Sequence, residues 1–242
     1  EIHEGDDIRK MLQSYEDIMI GRPSTENKNM LNDVRKHGWR VANDSGQGLQ
    51  ELDLSNLRFV VHAEAALECA LLDLYGKFVN LPMCDIIGEG RQRDSVEMLG
   101  YLFYIADSNK MDLPYLKNDD DSDAWGRVRR QETLTAEGIV KQAKAAQERY
   151  GFRCFKLKGG VLKGKEEMKA VTALHEAFPD ARINLDPNGA WSLDEAIALT
   201  KKYGDALTYA EDPCGPENGF SGREIMSFYK NATNKPVDTN VI

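Results

Sequence analysis

Apolar positions along the chain follow two rhythms, and the change falls near residue 95. Before it the spacing is helical. Ile8, Met11, Leu12 and Tyr15 recur three or four residues apart, and Gly21-Arg22-Pro23-Ser24 breaks the pattern. A polar segment follows, and Asn43-Asp44-Ser45-Gly46-Gln47-Gly48 reads as a loop. Residues 57–78 predict a long helix, whose many alanines and leucines imply burial on several sides. Pro82 and the Gly88-Glu89-Gly90 turn close this region.

Beyond residue 95, strand-like and helix-like runs alternate. Residues 96–105, rich in aromatic and β-branched side chains, predict a strand. An acidic stretch, residues 118–123, reads as a solvated loop with at most weak affinity for a cation. Residues 135–150 predict an amphipathic helix closed by Gly151, 155–160 a strand, 165–178 a helix stopped by Pro179, and 182–186 a strand. Ser192-Leu193-Asp194-Glu195 is a capping box opening a helix to about residue 203. A strand at 206–211, a helix capped by Ser221-Gly222-Arg223-Glu224 and a last strand at 235–240 complete the series. This order implies parallel strands joined by right-handed crossovers, in either a doubly wound sheet or a (β/α)₈ barrel. No GxGxxG or Walker sequence follows a strand, which weakens the nucleotide-binding alternative.

Composition narrows the class. At 242 residues the chain makes one large domain or two modest ones, and 41% hydrophobic with 29% charged residues is ordinary for a globular protein. A net charge of -9 argues against nucleic acid or anionic membranes as partners. No run approaches the length of a membrane span, and the start lacks the features of a signal peptide. Cys69, Cys84, Cys154 and Cys214 form no CxxC and fit free thiols in a reducing cytoplasm.

The chemistry concentrates at strand ends. In Phe155-Lys156-Leu157-Lys158-Gly159-Gly160 the period of two puts Lys156 and Lys158 on one face. Two adjacent ammonium groups repel, and in a poorly solvated site one or both are expected to have a depressed pKa, as a lysine base requires. Alone, the pair is equally a solvated surface strand. Successive strands, however, end in Asp186 with Asn188, in Glu211-Asp212 and in Asn240, with Glu217 just beyond the third. Parallel strands place all of these on one rim. Oxygen ligands without clustered His or Cys suit a hard cation such as Mg²⁺, and lysines facing it suit proton abstraction beside a carboxylate.

The runs Gly100–Ile105, Phe155–Leu162, Leu185–Leu193, Ala210–Gly215 and Gly219–Glu224 resemble the enolase superfamily and, within it, the glucarate dehydratase family. The resemblance implies an α/β fold: the remainder of an α+β capping domain over residues 1–94, then the first half of a (β/α) TIM-type barrel over 95–242. It implies that Lys158 is the base removing the proton α to a carboxylate, and that Lys156 tunes it and faces the substrate carboxylate. It makes Asp186, Glu217 and Asn240 the Mg²⁺ ligands, with Glu211 as the alternative second ligand. It places Tyr101, Lys156, Asp186, Asn188 and Asn240 against the substrate. The implied reaction is loss of water from D-glucarate or a related acid sugar, in a cytoplasmic homo-oligomer.

A racemase, an epimerase or another acid-sugar dehydratase shares the same enolate chemistry. A non-catalytic homologue that assembles with an active dehydratase is the alternative from outside enzymology. The family's second acid/base, a His paired with an Asp, falls on strands beyond the fifth. His3, His37, His62 and His175 do not match it. The sequence is therefore expected to be part of a longer protein and, by itself, inactive.

Overall fold

The computed structural model describes residues 9–43, 54–107, 110 and 123–239, with the backbone alone for 41–43 and 54–59. The chain divides into two compact units, Glu1–Ser95 and Val96–Ile242.

The first unit is helical. A turn of helix at residues 9–14 leads into α1 (Glu16–Met19), followed by α2 (Asn27–Asn43), α3 (Leu54–Val79) and α4 (Met83–Ile87). Its core forms around Tyr15, Val34 and Ala63, with Met11, Leu12, Ile18, Met19 and Leu67 packed against them. Helix α2 occupies what reads in the sequence as a polar segment. Its buried positions with described side chains are Met30, Val34 and Gly38, and only the first two carry apolar side chains, four apart in a charged background, a stripe too narrow to signal strongly. Helix α3 departs from the expectation of burial on several sides. Val60, Ala63 and Leu71 are buried, while Val61, Leu74 and Phe78 are 55%, 54% and 71% exposed. Its apolar composition exceeds the surface that α2 and the shorter helices cover among the described residues.

The second unit alternates strands and helices: β1 (Leu99–Phe103), α5 (Ala124–Val128), α6 (Ala136–Tyr150), β2 (Cys154–Lys158), α7 (Gly164–Ala177), β3 (Ile183–Asp186), α8 (Leu193–Tyr203), β4 (Tyr209–Glu211), α9 (Gly222–Thr233) and β5 (Val237–Asp238). The helix ends follow local rules. Thr135 caps α6 by accepting the Gly138 N–H, and Gly151 ends it at φ 73°. Ser221 and Glu224 form the reciprocal capping box of α9. Ser192 accepts the Glu195 N–H at the start of α8. Asp123, the last residue of the acidic stretch, caps α5 through the Gly126 N–H; residues 118–122 lie outside the described residues.

All five strands are parallel, in the order β1-β2-β3-β4-β5. A doubly wound sheet reverses its order at a switch point, whereas a barrel adds each strand beside the last. The sequential order therefore decides for the barrel-type arrangement. Alternation then sorts the side chains. Leu102, Phe155, Leu157, Ile183, Leu185 and Ala210 turn to the helix-covered face, where they join Ile139, Met168, Leu174, Ala196, Ile225 and Tyr229 in one core. Tyr101, Lys156, Lys158, Asn184, Asp186 and Glu211 fall in the opposite phase.

Strands β1, β4 and β5 reach at most half the length of their sequence patterns. Val96 and Met98 are exposed and precede the β1 ladder, while Ile105 pairs instead with Thr133. Gly204–Ala206 is a 3₁₀ turn, and Lys235 Nζ donates to the Gly204 and Leu207 carbonyls, both at 2.7 Å, so β4 starts only at Tyr209. Strand β5 pairs through two residues. At the end of β1 a side chain does the work of a neighbouring strand: Gln142 of α6 accepts the Phe103 N–H at 3.2 Å and donates to the Phe103 carbonyl at 2.9 Å. Among the described residues no helix is long and apolar enough to cross a membrane.

Leu157 is fully buried in this core, whereas Val161, four residues on, is 57% exposed. Leu157→Ala should cost roughly 2–5 kcal/mol and Val161→Ala less than about 0.5 kcal/mol. Urea denaturation checks this, and equal costs would contradict the burial pattern.

Candidate active site

The carboxyl ends of β2, β3 and β4 bring two ammonium groups against three carboxylates. Asp186, at the end of β3, is fully buried. Its Oδ2 receives Lys158 Nζ at 2.7 Å and Lys156 Nζ at 2.9 Å. Its Oδ1 accepts the Asn188 N–H at 3.0 Å. Lys156 also pairs with Glu211 Oε1, reaching across β3 to β4, and Lys158 donates to Asn188 Oδ1 at 2.7 Å. Asn184, two residues before Asp186 and hence on the same face, donates to Glu211 Oε2 at 3.2 Å. Tyr101 lies opposite Lys156 in register, with the Lys156 ammonium 5.0 Å from its ring centre.

These contacts set the charge states. Burial, the largest single influence, would lower the Lys156 pKa, but the hydrogen bonds from its ammonium to Glu211 and Asp186 outweigh it and raise the value. The expectation that one or both lysines are depressed therefore does not hold at Lys156. The carboxylates dominate, and they come from strands that the local lysine pattern does not reveal. Burial pushes the Asp186 pKa up, yet bonds from Lys158, Lys156 and the Asn188 N–H together hold it below the ordinary value.

The third carboxylate, Asp212, stands in the sequence reading only beside Glu211 at a polar strand end, with no ligand role assigned to it. Asp212 is buried, and neither carboxylate oxygen has a hydrogen-bond partner among the described residues. One oxygen from each of Asp186, Glu211 and Asp212 lies within 4.8 Å of the others. Strict alternation would turn Asp212 away from Glu211. Its φ of 37° breaks that alternation, which is why period-two reasoning passes over it. Three buried carboxylates, two of them paired with ammonium groups and the third without a hydrogen-bond partner, match the oxygen-rich, anionic donor set that a hard divalent cation takes.

Glu217 Oε2 accepts the Leu193 N–H at 2.9 Å, at the start of α8, and Glu217 is outside the three-carboxylate group. Asn240 lies outside the described residues. His37 and His62 belong to the first unit, and His175 lies in the last turn of α7. The loops that carry the site are packed edge to edge. Gly159 N–H donates to the Asp186 carbonyl at 2.8 Å, and Gly189 N–H donates to the Asp212 carbonyl at 2.7 Å. A Cβ on Gly189 would lie 3.3 Å from the backbone of Gly215.

Residues 138–237 match the family described as enolase C-terminal domain-like. That matched region and the parallel sheet with its helices share the fold of solved enolases. It is 38% identical over 230 residues to a probable glucarate dehydratase of Streptomyces coelicolor, covering 92% of this chain and 48% of that protein. An enolase from Mycobacterium smegmatis complexed with tartrate superposes with a TM-score of 0.72 at 29% identity, over 97% of this chain and 49% of that one. An enolase from Pseudomonas fluorescens with bound magnesium, potassium and tartrate gives 0.71 at 32%, over 96% and 51%. The chain thus spans about half the length of these relatives.

Because the folded pKa of Asp186 is depressed, the stability it contributes is present above the ordinary carboxylate range and lost as pH falls through the folded value. Urea stability measured with EDTA should therefore fall below about pH 4, and Asp186→Asn should flatten that fall. Identical slopes would show that the Lys–Asp–Lys contact does not set the charge of Asp186.

Proposed function

We propose that this chain carries the proton-abstracting half of an acid-sugar dehydratase site, acting on D-glucarate or a related aldarate. The observation that carries the reading is the packing of Lys156 and Lys158 against buried Asp186 and Glu211 at the carboxyl ends of adjacent parallel strands. The similarity to a probable glucarate dehydratase, and the tartrate in two structural relatives, support a hydroxylated diacid as the substrate class.

In this reading Lys158 removes the proton α to the substrate carboxylate, and its two partners, Asp186 and Asn188, fix where its nitrogen points. Lys156, held charged by Glu211, faces the carboxylate and offsets the negative charge that grows there as the proton leaves. Tyr101 forms the wall beside it and Asn188 offers its amide to a substrate hydroxyl. Loss of the hydroxyl from the neighbouring carbon, with a proton, completes the elimination of water and leaves a keto-deoxy diacid. The donor of that proton is not among the site residues described. Asp186 and Glu211, with Asp212 beside them, would hold Mg²⁺, joined by Glu217 and Asn240 as the resemblance implies. A bound Mg²⁺ would supply positive charge for the enolate oxygens.

The test is exchange of the substrate α-proton in deuterated water, followed by NMR with D-glucarate and Mg²⁺ in the intact protein that contains this sequence. Lys158→Met should lower exchange by about 100-fold or more and leave the fold intact by circular dichroism. Exchange retained in the variant would move the base elsewhere. Asp186→Asn should weaken Mg²⁺ binding by calorimetry, and an unchanged affinity would remove Asp186 from the ligand set.

A further inference from the structure

The loop that follows Lys158 is held from behind by one buried side chain. Glu167, in the first turn of α7, is fully buried. Its Oε1 accepts two backbone N–H groups, those of Val161 and Leu162, each at 2.9 Å. Its Oε2 is buried without a hydrogen-bond partner. The alternation of β2 carries into Gly159, so a side chain there would point toward α7; its Cβ would lie 2.7 Å from Glu167 Oε2. On the other side, a Cβ on Gly160, at φ 76°, would lie 2.5 Å from the Pro187 carbonyl oxygen. The loop is therefore wedged between a carboxylate behind it and the 186–187 backbone beside it.

A buried carboxylate with one idle oxygen is an expensive way to secure a loop. Its effect is directional. It sets the height of residues 159–162 against α7, and the Gly159 N–H then sets Asp186, whose side chain holds Lys158. We infer that Glu167 is a positioning residue for the proton-abstracting lysine, acting through this loop without touching substrate. The inference rests on the reading of Lys158 as the base.

The test compares Glu167→Gln, Glu167→Ala and, as a control on the exposed neighbour that pairs with Lys169, Glu166→Gln. Amide hydrogen exchange reads the anchor directly. In Glu167→Ala the Val161 and Leu162 amides should lose protection by about tenfold or more while Phe155 and Leu157 keep theirs. In substrate α-proton exchange, kcat per folded site should fall by about 10- to 100-fold with KM nearly unchanged. Glu167→Gln, which keeps an acceptor oxygen, should recover most of both losses. Glu166→Gln should match the wild type. A purely structural role would lower stability and the folded fraction but leave kcat per folded site intact, and that result overturns the inference. So does unchanged protection at Val161 and Leu162. If Glu167→Ala does not fold, Glu167→Gln decides: rescued protection and rate support the inference, and a rate lost despite intact protection overturns it. A wild type whose exchange is insensitive to Lys158→Met sinks the reading of Lys158 first, and the inference falls with it. The amide data then record a structural anchor alone.

Discussion

A single carboxylate oxygen, Asp186 Oδ2, takes hydrogen bonds from two ammonium groups in a fully buried position. Neither lysine could come this close to the other without it, and Asp186 could not remain ionised there without them. Breaking a buried ion pair by deleting one partner typically costs about 3–5 kcal/mol. This is therefore a constraint on the strand ends as much as a feature of them. Strands β2 and β3 must keep their register for Lys158 to stand opposite Asp186. A one-residue slip would turn every one of these side chains into the apolar core.

The sheet separates two tasks by phase. One set of alternate positions is aliphatic or aromatic and packs on helices, and the other carries charge. Burial on the helix side supplies the stability that the charged side consumes. Among the described residues, the buried carboxyl group on the helix side, that of Glu167, bonds two loop amides rather than an ion-pair partner.

What could be read from the sequence depended on range. Lys156, Lys158, Asp186 and Glu211 were legible because the period of two and parallel connectivity together fix which strand ends meet. The pairing of Lys156 with Glu211 was not, because it spans an intervening strand and depends on side-chain reach. The raised pKa of Lys156 was missed for the same reason: neighbours along the chain are visible in a sequence, and carboxylates two strands away are not. Asp212 was visible beside Glu211 at its strand end, but its place in the carboxylate group was not, because a positive φ cancels the alternation that the reading relied on. Glu167 escaped because it reaches its loop from a helix, where it looks like any acidic residue of a first turn. Glu217 was read from its place just beyond a strand end and from the family resemblance, and its bond to the Leu193 N–H belongs to loop geometry that no periodicity encodes.

The edge-to-edge packing of the loops after β2, β3 and β4 also bears on how such a protein changes over evolutionary time. Gly159 touches the Asp186 backbone, Gly160 the Pro187 carbonyl, and Gly189 both Asp212 and Gly215. A chain lengthened in any one of these loops would displace the next, and with it a charged strand end. Such a stack resists insertion and tolerates little beyond glycine at its contacts. New substrate preferences must then be acquired through segments that approach the site without belonging to the stack. On the proposed reading, proton abstraction can stay fixed in this way while the choice of acid drifts.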